Sequence, residues 1–83
     1  MAIMTPKIHG KIKMADKSVY CVDVYGKDGD LLKVEAYEFG TGTFILQFLW
    51  DEHDAQTSEN RTEFRKWVNR HLRQTGYNVM GEN

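Results

Sequence analysis

Hydrophobic and polar positions alternate along residues 7–50, which is the pattern of β-strands with one buried face. The most apolar run, Thr43–Trp50, is short, β-branched and aromatic, so it predicts a strand rather than a helix. Three further strands are predicted over Lys7–Met14, Ser18–Tyr25 and Asp30–Phe39. The first half of the chain therefore predicts a sheet of four strands.

The segments between the later strands are short and rich in turn-forming residues. Gly26-Lys27-Asp28-Gly29 predicts a hairpin loop and Gly40-Thr41-Gly42 a second turn, because glycine accepts the positive φ angles that tight turns need. Connections this short place consecutive strands side by side and antiparallel. The pattern therefore predicts an antiparallel meander.

The hydrophobic period changes to that of a helix after residue 57, and a helix is predicted over residues 58–75. Ser58 or Asn60 is expected to cap its start, and Gly76 lies where a C-terminal capping glycine belongs. The apolar stripe of this helix consists of Phe64, Trp67, Val68 and Leu72. A helix with one apolar stripe needs an apolar surface to cover it.

These elements predict an α+β fold, β-β-β-β-α, in which a four-stranded antiparallel meander packs on one C-terminal amphipathic helix. The chain is expected to form a single domain over residues 1–83, with the sheet at 7–50, the helix at 58–75 and a tail at 76–83. Within that tail, Tyr77-Asn78-Val79-Met80 either adds a short fifth strand or packs against the sheet edge.

The two faces of the predicted sheet are both apolar, although the chain has only one helix to cover them. We expect one face, which includes Tyr20, Val22, Val24, Leu32, Val34, Ala36, Phe44, Leu46 and Phe48, to contact the helix. The opposite face would then carry Val19, Cys21, Tyr37, Phe39, Ile45 and Leu49. Such a patch predicts a protein interface, most simply a two-fold homodimer. The alternative is that the tail or a tilted helix covers it.

Charge gives a second hypothesis for the same face. The formal net charge is only −1, but five of the eleven Lys and Arg residues lie on the helix. Lysines beside aromatic rings are typical of single-stranded nucleic acid binders, and arginine clusters can hold phosphates or an acidic partner. Both features also occur on ordinary solvated surfaces. The candidate contacts for nucleic acid or an acidic partner are Lys7, Lys11, Lys13, Lys33, Arg65, Arg70 and Arg73.

Catalytic signals are weak. Asp51-Glu52-His53-Asp54 contains metal-ligand residue types, but four consecutive residues rarely converge on one ion. Cys21 has no neighbouring His and is expected to be a buried or interface thiol rather than a nucleophile. We therefore expect no catalytic residues, metal or cofactor and no small-molecule substrate.

The length of the apolar runs, the first residues and the number of cysteines indicate the cellular context that we expect. No run of residues is long and apolar enough to span a membrane, and the first residues lack the features of a signal peptide. A single cysteine suits the reducing cytoplasm. Small phage- or mobile-element-encoded regulators are typically of this kind, so we expect a regulator or inhibitor that binds a larger protein. The alternative function is single-stranded nucleic acid binding.

Overall fold

A computed structural model of the protein describes residues 7–8 and 17–81. Its fold is α+β, with a sheet on one side and a single C-terminal helix on the other, as the sequence predicts. The elements are β1 (Lys7–Ile8), β2 (Ser18–Tyr25), β3 (Leu31–Glu38), β4 (Phe44–Leu49), α1 (Ser58–Gln74) and β5 (Asn78–Val79).

The sheet has the strand order β1-β4-β3-β2-β5. The hairpins that join β2, β3 and β4 are antiparallel, which confirms that part of the predicted meander. The prediction was wrong for β1, which pairs with β4 rather than β2. The short fifth strand given as an alternative for the tail is confirmed as β5, but it joins β2 in parallel, so the sheet is mixed rather than antiparallel. On the side of β2 opposite β3, β5 pairs with Ser18 and Val19. The predicted strand residues 9–14 lie outside the described residues.

The core lies between the sheet and α1. Its fully buried side chains come from three strands and the helix, and they are Val19, Val34, Ala36, Leu46, Phe48, Val68 and Leu72. Phe48 makes edge-to-face contacts with Trp67 and His71, at centroid distances of 5.5 and 5.7 Å. The burial of these residues confirms the predicted helix stripe and the predicted inward positions of Val34, Ala36, Leu46 and Phe48 in β3 and β4.

The sidedness predicted for β2 was wrong. Val19 is 0% exposed and Cys21 packs against the core, whereas Val22 is 40% exposed on the other face. The cross-strand partner of Asp23 is the buried Val34, so this carboxylate also lies on the helix side. Arg65 of the helix forms an ion pair with this carboxylate, which compensates its charge on the helix side.

Irregular pairing explains two further errors in sidedness. Tyr37 pairs with Phe44 and Ala36 with Leu46, so Ile45 is an extra residue that interrupts the alternation. Ile45 consequently packs against the core, while Phe44 turns to the opposite face and is 37% exposed. The same device occurs near the first hairpin. There Tyr25 pairs with Leu31, which is buried, and Leu32 is exposed instead.

The ends of α1 are closed by side-chain and backbone hydrogen bonds. Thr57, not Ser58 or Asn60, is the N-cap, and its hydroxyl accepts a 3.0 Å hydrogen bond from the Asn60 amide. At the other end Gly76 has φ 96°, and the amide of Tyr77 donates to the carbonyl of Leu72. This arrangement confirms the predicted capping glycine. It also turns the chain back toward β2, where β5 forms.

Candidate functional site

The sheet face that points away from α1 is the first candidate for a binding surface, and we call it the outer sheet face. Register and burial place on it Tyr20, Val22, Val24, Lys33, Glu35, Tyr37, Phe44, Gln47 and Leu49. Three of these side chains, Val22, Phe44 and Leu49, are large, apolar and 37–43% exposed. Tyr37 and Leu49 of the six predicted patch residues belong to it.

Three of the other four predicted patch residues lie elsewhere. Val19, Cys21 and Ile45 face the helix layer, which corrects the prediction that they line an outer interface. Phe39 follows β3 in the turn to β4, and its side chain is 58% exposed. The outer sheet face therefore differs in composition from the predicted patch, and Tyr20 and Phe44 also lie on it.

An aromatic row crosses one end of the outer sheet face. The Tyr20 and Tyr37 rings stack with centroids 5.6 Å apart, and Phe44 meets Tyr37 edge to face at 5.8 Å. The three residues occupy paired positions on adjacent strands, which brings their rings together. A cross-strand register signal of this kind could be found in the sequence only if the bulge at Ile45 were known.

Polar groups in the middle of the outer sheet face neutralise one another. The Tyr37 hydroxyl donates a 2.7 Å hydrogen bond to Glu35, and the Lys33 ammonium lies 3.1 Å from the same carboxylate. Lys33 also donates to the Gln47 side chain at 3.1 Å. The Tyr37 hydrogen bond, followed by that of Lys33, lowers the pKa of Glu35, and the Glu35 partner raises the pKa of Tyr37. Among the described side chains of this face, the charges of Lys33 and Glu35 therefore compensate each other.

The predicted cationic contacts do not converge on one surface. Lys33 lies on the outer sheet face, whereas Arg65, Arg70 and Arg73 belong to α1 in the other layer. Arg65 pairs with Asp23 on the inner side of β2. Lys7 pairs with Gln47 along the backbone, and Lys11 and Lys13 lie outside the described residues.

The acidic segment 51–54 forms the turn between β4 and α1. The Asp51 side chain accepts a 2.9 Å hydrogen bond from the His53 amide, and the Trp50 indole donates to the Asp54 carbonyl at 3.2 Å. Within residues 7–8 and 17–81, no group of three or more His, Cys, Asp and Glu side chains is placed to hold a metal ion. The contacts that are present give this segment a structural role.

Cys21 lies under the helix beside the Asp23–Arg65 ion pair. Burial raises the pKa of its thiol, and the nearby Arg65 only partly opposes this effect. A raised pKa keeps the sulfur protonated and therefore weakly nucleophilic at neutral pH.

The described part of the chain has no helix that is long and apolar enough to cross a membrane.

Comparison with known proteins adds no relative to this picture. No protein-family model, curated protein or solved structure matched the chain.

Proposed function

We propose that the protein is a non-enzymatic protein-binding module, a small regulator or inhibitor of a larger protein, and that the outer sheet face is its interface. The observation that carries this proposal is the combination of exposed apolar side chains with internally neutralised charges on one sheet face. Aromatic residues and few uncompensated charges are typical of the centre of protein interfaces. A reducing, cytoplasmic setting remains our expectation.

The simplest partner for this face is a second copy of the chain. A two-fold axis through the sheet would bring the aromatic row and Leu49 against their symmetry copies, and it would bury apolar surface that one helix cannot cover. Neutralised pairs such as Lys33–Glu35 avoid the repulsion that a self-facing charge would cause. We therefore propose a homodimer as the resting state.

Sedimentation equilibrium tests the homodimer, with Leu49→Lys as the disrupting variant and Met80→Lys as its control. Both side chains are 43% exposed, but Met80 lies after β5 and away from the outer sheet face. We expect wild type and Met80→Lys to dimerise and Leu49→Lys to be a folded monomer, because a dimer would bury two like charges together. A wild-type protein that stays monomeric at high concentration would exclude self-association.

Binding to a larger protein is tested by affinity capture from a host lysate, with and without nuclease. Wild type and Met80→Lys should retain a protein that Leu49→Lys loses, and nuclease should not change the result. Equal capture by all three chains would exclude the outer sheet face as the interface.

Single-stranded nucleic acid binding is the second candidate, and the row of Tyr20, Tyr37 and Phe44 is the observation that favours it, since bases stack on such rings. Fluorescence titration of an oligonucleotide over a range of salt concentrations tests this candidate. Nucleic acid binding predicts a steep fall in affinity with salt and loss of binding in a chain with both Lys11→Glu and Lys13→Glu. Neither result is expected for a protein-binding module.

A further inference from the structure

Within residues 7–8 and 17–81, strand β2 has an open edge over most of its length. On one side β3 pairs with it from Val19 to Tyr25, but on the other side β5 reaches only Ser18 and Val19. The last backbone contact on that side within the described residues is the Met80 amide, which donates to the Val19 carbonyl at 2.8 Å. Beyond this point, the part of the chain that the structure describes provides no strand beside β2.

The alternation of β2 shows which backbone groups lie at this edge. The Ser18 carbonyl accepts from Phe39 on the β3 side, and the Val19 carbonyl accepts from Met80 on the β5 side. Successive residues of a strand point their backbone groups to opposite sides. The backbone groups of Cys21, Asp23 and Tyr25 therefore face the open edge, spaced as a further strand would need them.

A cleft of about 520 Å³ lies beside this edge, between β2 and the helix, and its lining includes Asp23, Arg61, Arg65 and Lys66. Asp23 is already paired with Arg65. Lys66 pairs with Glu63 at 3.7 Å, but both side chains are more than half exposed, so this pair is weak. The charges that remain in the cleft are positive.

We propose that the open edge of β2 binds an extended acidic peptide segment of a partner protein as an additional strand. Backbone hydrogen bonds to Cys21, Asp23 and Tyr25 would hold the segment, and its alternate side chains would set the specificity. One set points toward the helix, where Arg61 and Lys66 favour carboxylates. The other set lies beside Tyr20, Val22 and Val24, which favour apolar side chains. The segment is thus expected to alternate between acidic and apolar residues.

The same charges argue against a second copy of the chain at this edge. Two-fold pairing of β2 with its own copy would place both helices on the same face of a continuous sheet. The Arg61, Arg65 and Lys66 side chains of the two copies would then approach one another, and like charges oppose such an approach. This site overlaps the outer sheet face only at Tyr20, Val22 and Val24. Its backbone groups and cleft charges lie at the edge, so the Leu49→Lys and Lys66→Glu variants test the two proposals separately.

The test uses blocked synthetic six-residue peptides and amide NMR spectra of the whole chain. The acidic probe is Val-Glu-Val-Glu-Val-Glu and the basic control is Val-Lys-Val-Lys-Val-Lys. We expect the acidic peptide to bind at up to millimolar concentration and to slow hydrogen exchange at the Cys21, Asp23 and Tyr25 amides, and the basic peptide not to bind. Failure of the acidic peptide to bind, or equal binding of the basic one, would overturn the proposal.

Two sets of variants separate strand addition from simple charge attraction. Lys66→Glu should weaken the acidic peptide about tenfold, whereas Arg70→Glu, an exposed residue of the same helix outside the cleft, should change the affinity less than twofold. A peptide N-methylated at all valines and a peptide N-methylated at all glutamates should differ in affinity. Only one of the two sets of amides faces β2, so only one methylation removes hydrogen bonds to it. Equal effects of the two charge reversals, or unimpaired binding of both methylated peptides, would contradict strand addition.

Discussion

Phe48 of strand β4 packs directly against the helix. Its side chain is 0% exposed and contacts the rings of Trp67 and His71. Phe48→Ala removes this contact and leaves a cavity, so we expect it to lower the free energy of unfolding by about 3–5 kcal/mol. Urea denaturation measures the loss. Phe44→Ala, on the outer sheet face, is the control and should cost much less. Equal losses would contradict the assignment of faces.

The Tyr37–Glu35 hydrogen bond links stability to pH. Because the pKa of Glu35 is lowered by folding, its contribution is fully present above its ordinary value of 4.5 and is lost as the pH falls through the lowered value. The pKa of Tyr37 is raised by folding, so its contribution to stability has the opposite pH dependence. That contribution is lost as the pH rises through the raised pKa.

Tyr37→Phe tests this coupling because it removes the donor and keeps the ring. We expect the pKa of Glu35 to rise toward 4.5, and the acid-dependent part of the stability to become smaller. An NMR titration of the Glu35 carboxyl group measures the shift directly. Tyr20→Phe, in the stacked neighbouring ring, serves as the control. An unchanged Glu35 titration in Tyr37→Phe would show that Lys33 alone sets this pKa.

At the scale of the element, the irregularity in β4 decides which face each side chain occupies. Ile45→Asp would place a carboxylate against the core, and we expect it to destabilise the fold by at least about 2 kcal/mol. Leu49→Asp, on the outer sheet face, should have little effect on the stability of the monomer. Thermal unfolding of the two variants at low protein concentration compares them. Similar melting temperatures would mean that Ile45 points outward after all.

The C-terminal turn of α1 gives a second test at this scale. Gly76 has φ 96°, a conformation that an L side chain adopts at a cost, so Gly76→Ala should destabilise the protein by about 1–2 kcal/mol. Gly26→Ala is the matched control, since a Cβ there would only make ordinary contact with Leu32 at 3.5 Å. Chemical denaturation of both variants checks the difference. Equal stability would contradict the capping role.

The elements were predictable from the sequence because strands and helices leave a local periodic pattern, and Gly76 marked the helix end correctly. The faces were less predictable. Strand β2 is apolar on both sides, and the choice depends on Arg65, which lies 42 residues away from its partner Asp23. Likewise, no local feature of the sequence indicates the extra residue at Ile45. The outer sheet face was therefore expected with only part of its true composition.

For the molecule as a whole, the topology was harder to predict than the elements. Short connections made the antiparallel pairing of β2, β3 and β4 predictable, because they leave the strands no other neighbours. The pairings at the sheet edges join residues that are distant in the sequence, Lys7 with Gln47 and Ser18 with Asn78. The concentration of Lys and Arg on the helix was visible in the sequence, but the cleft that places Arg61 and Lys66 beside β2 depends on this topology.

The position of β5 beside β2 has a consequence for folding during synthesis of the protein. On a ribosome, β2, β3 and β4 emerge before the helix and the strand β5 that pack against them. At synthesis rates of about 5–20 residues per second, the sheet would remain uncovered by the helix for about a few seconds. During that interval Val19, Phe48 and the whole outward edge of β2 would be exposed to other nascent chains and to chaperones.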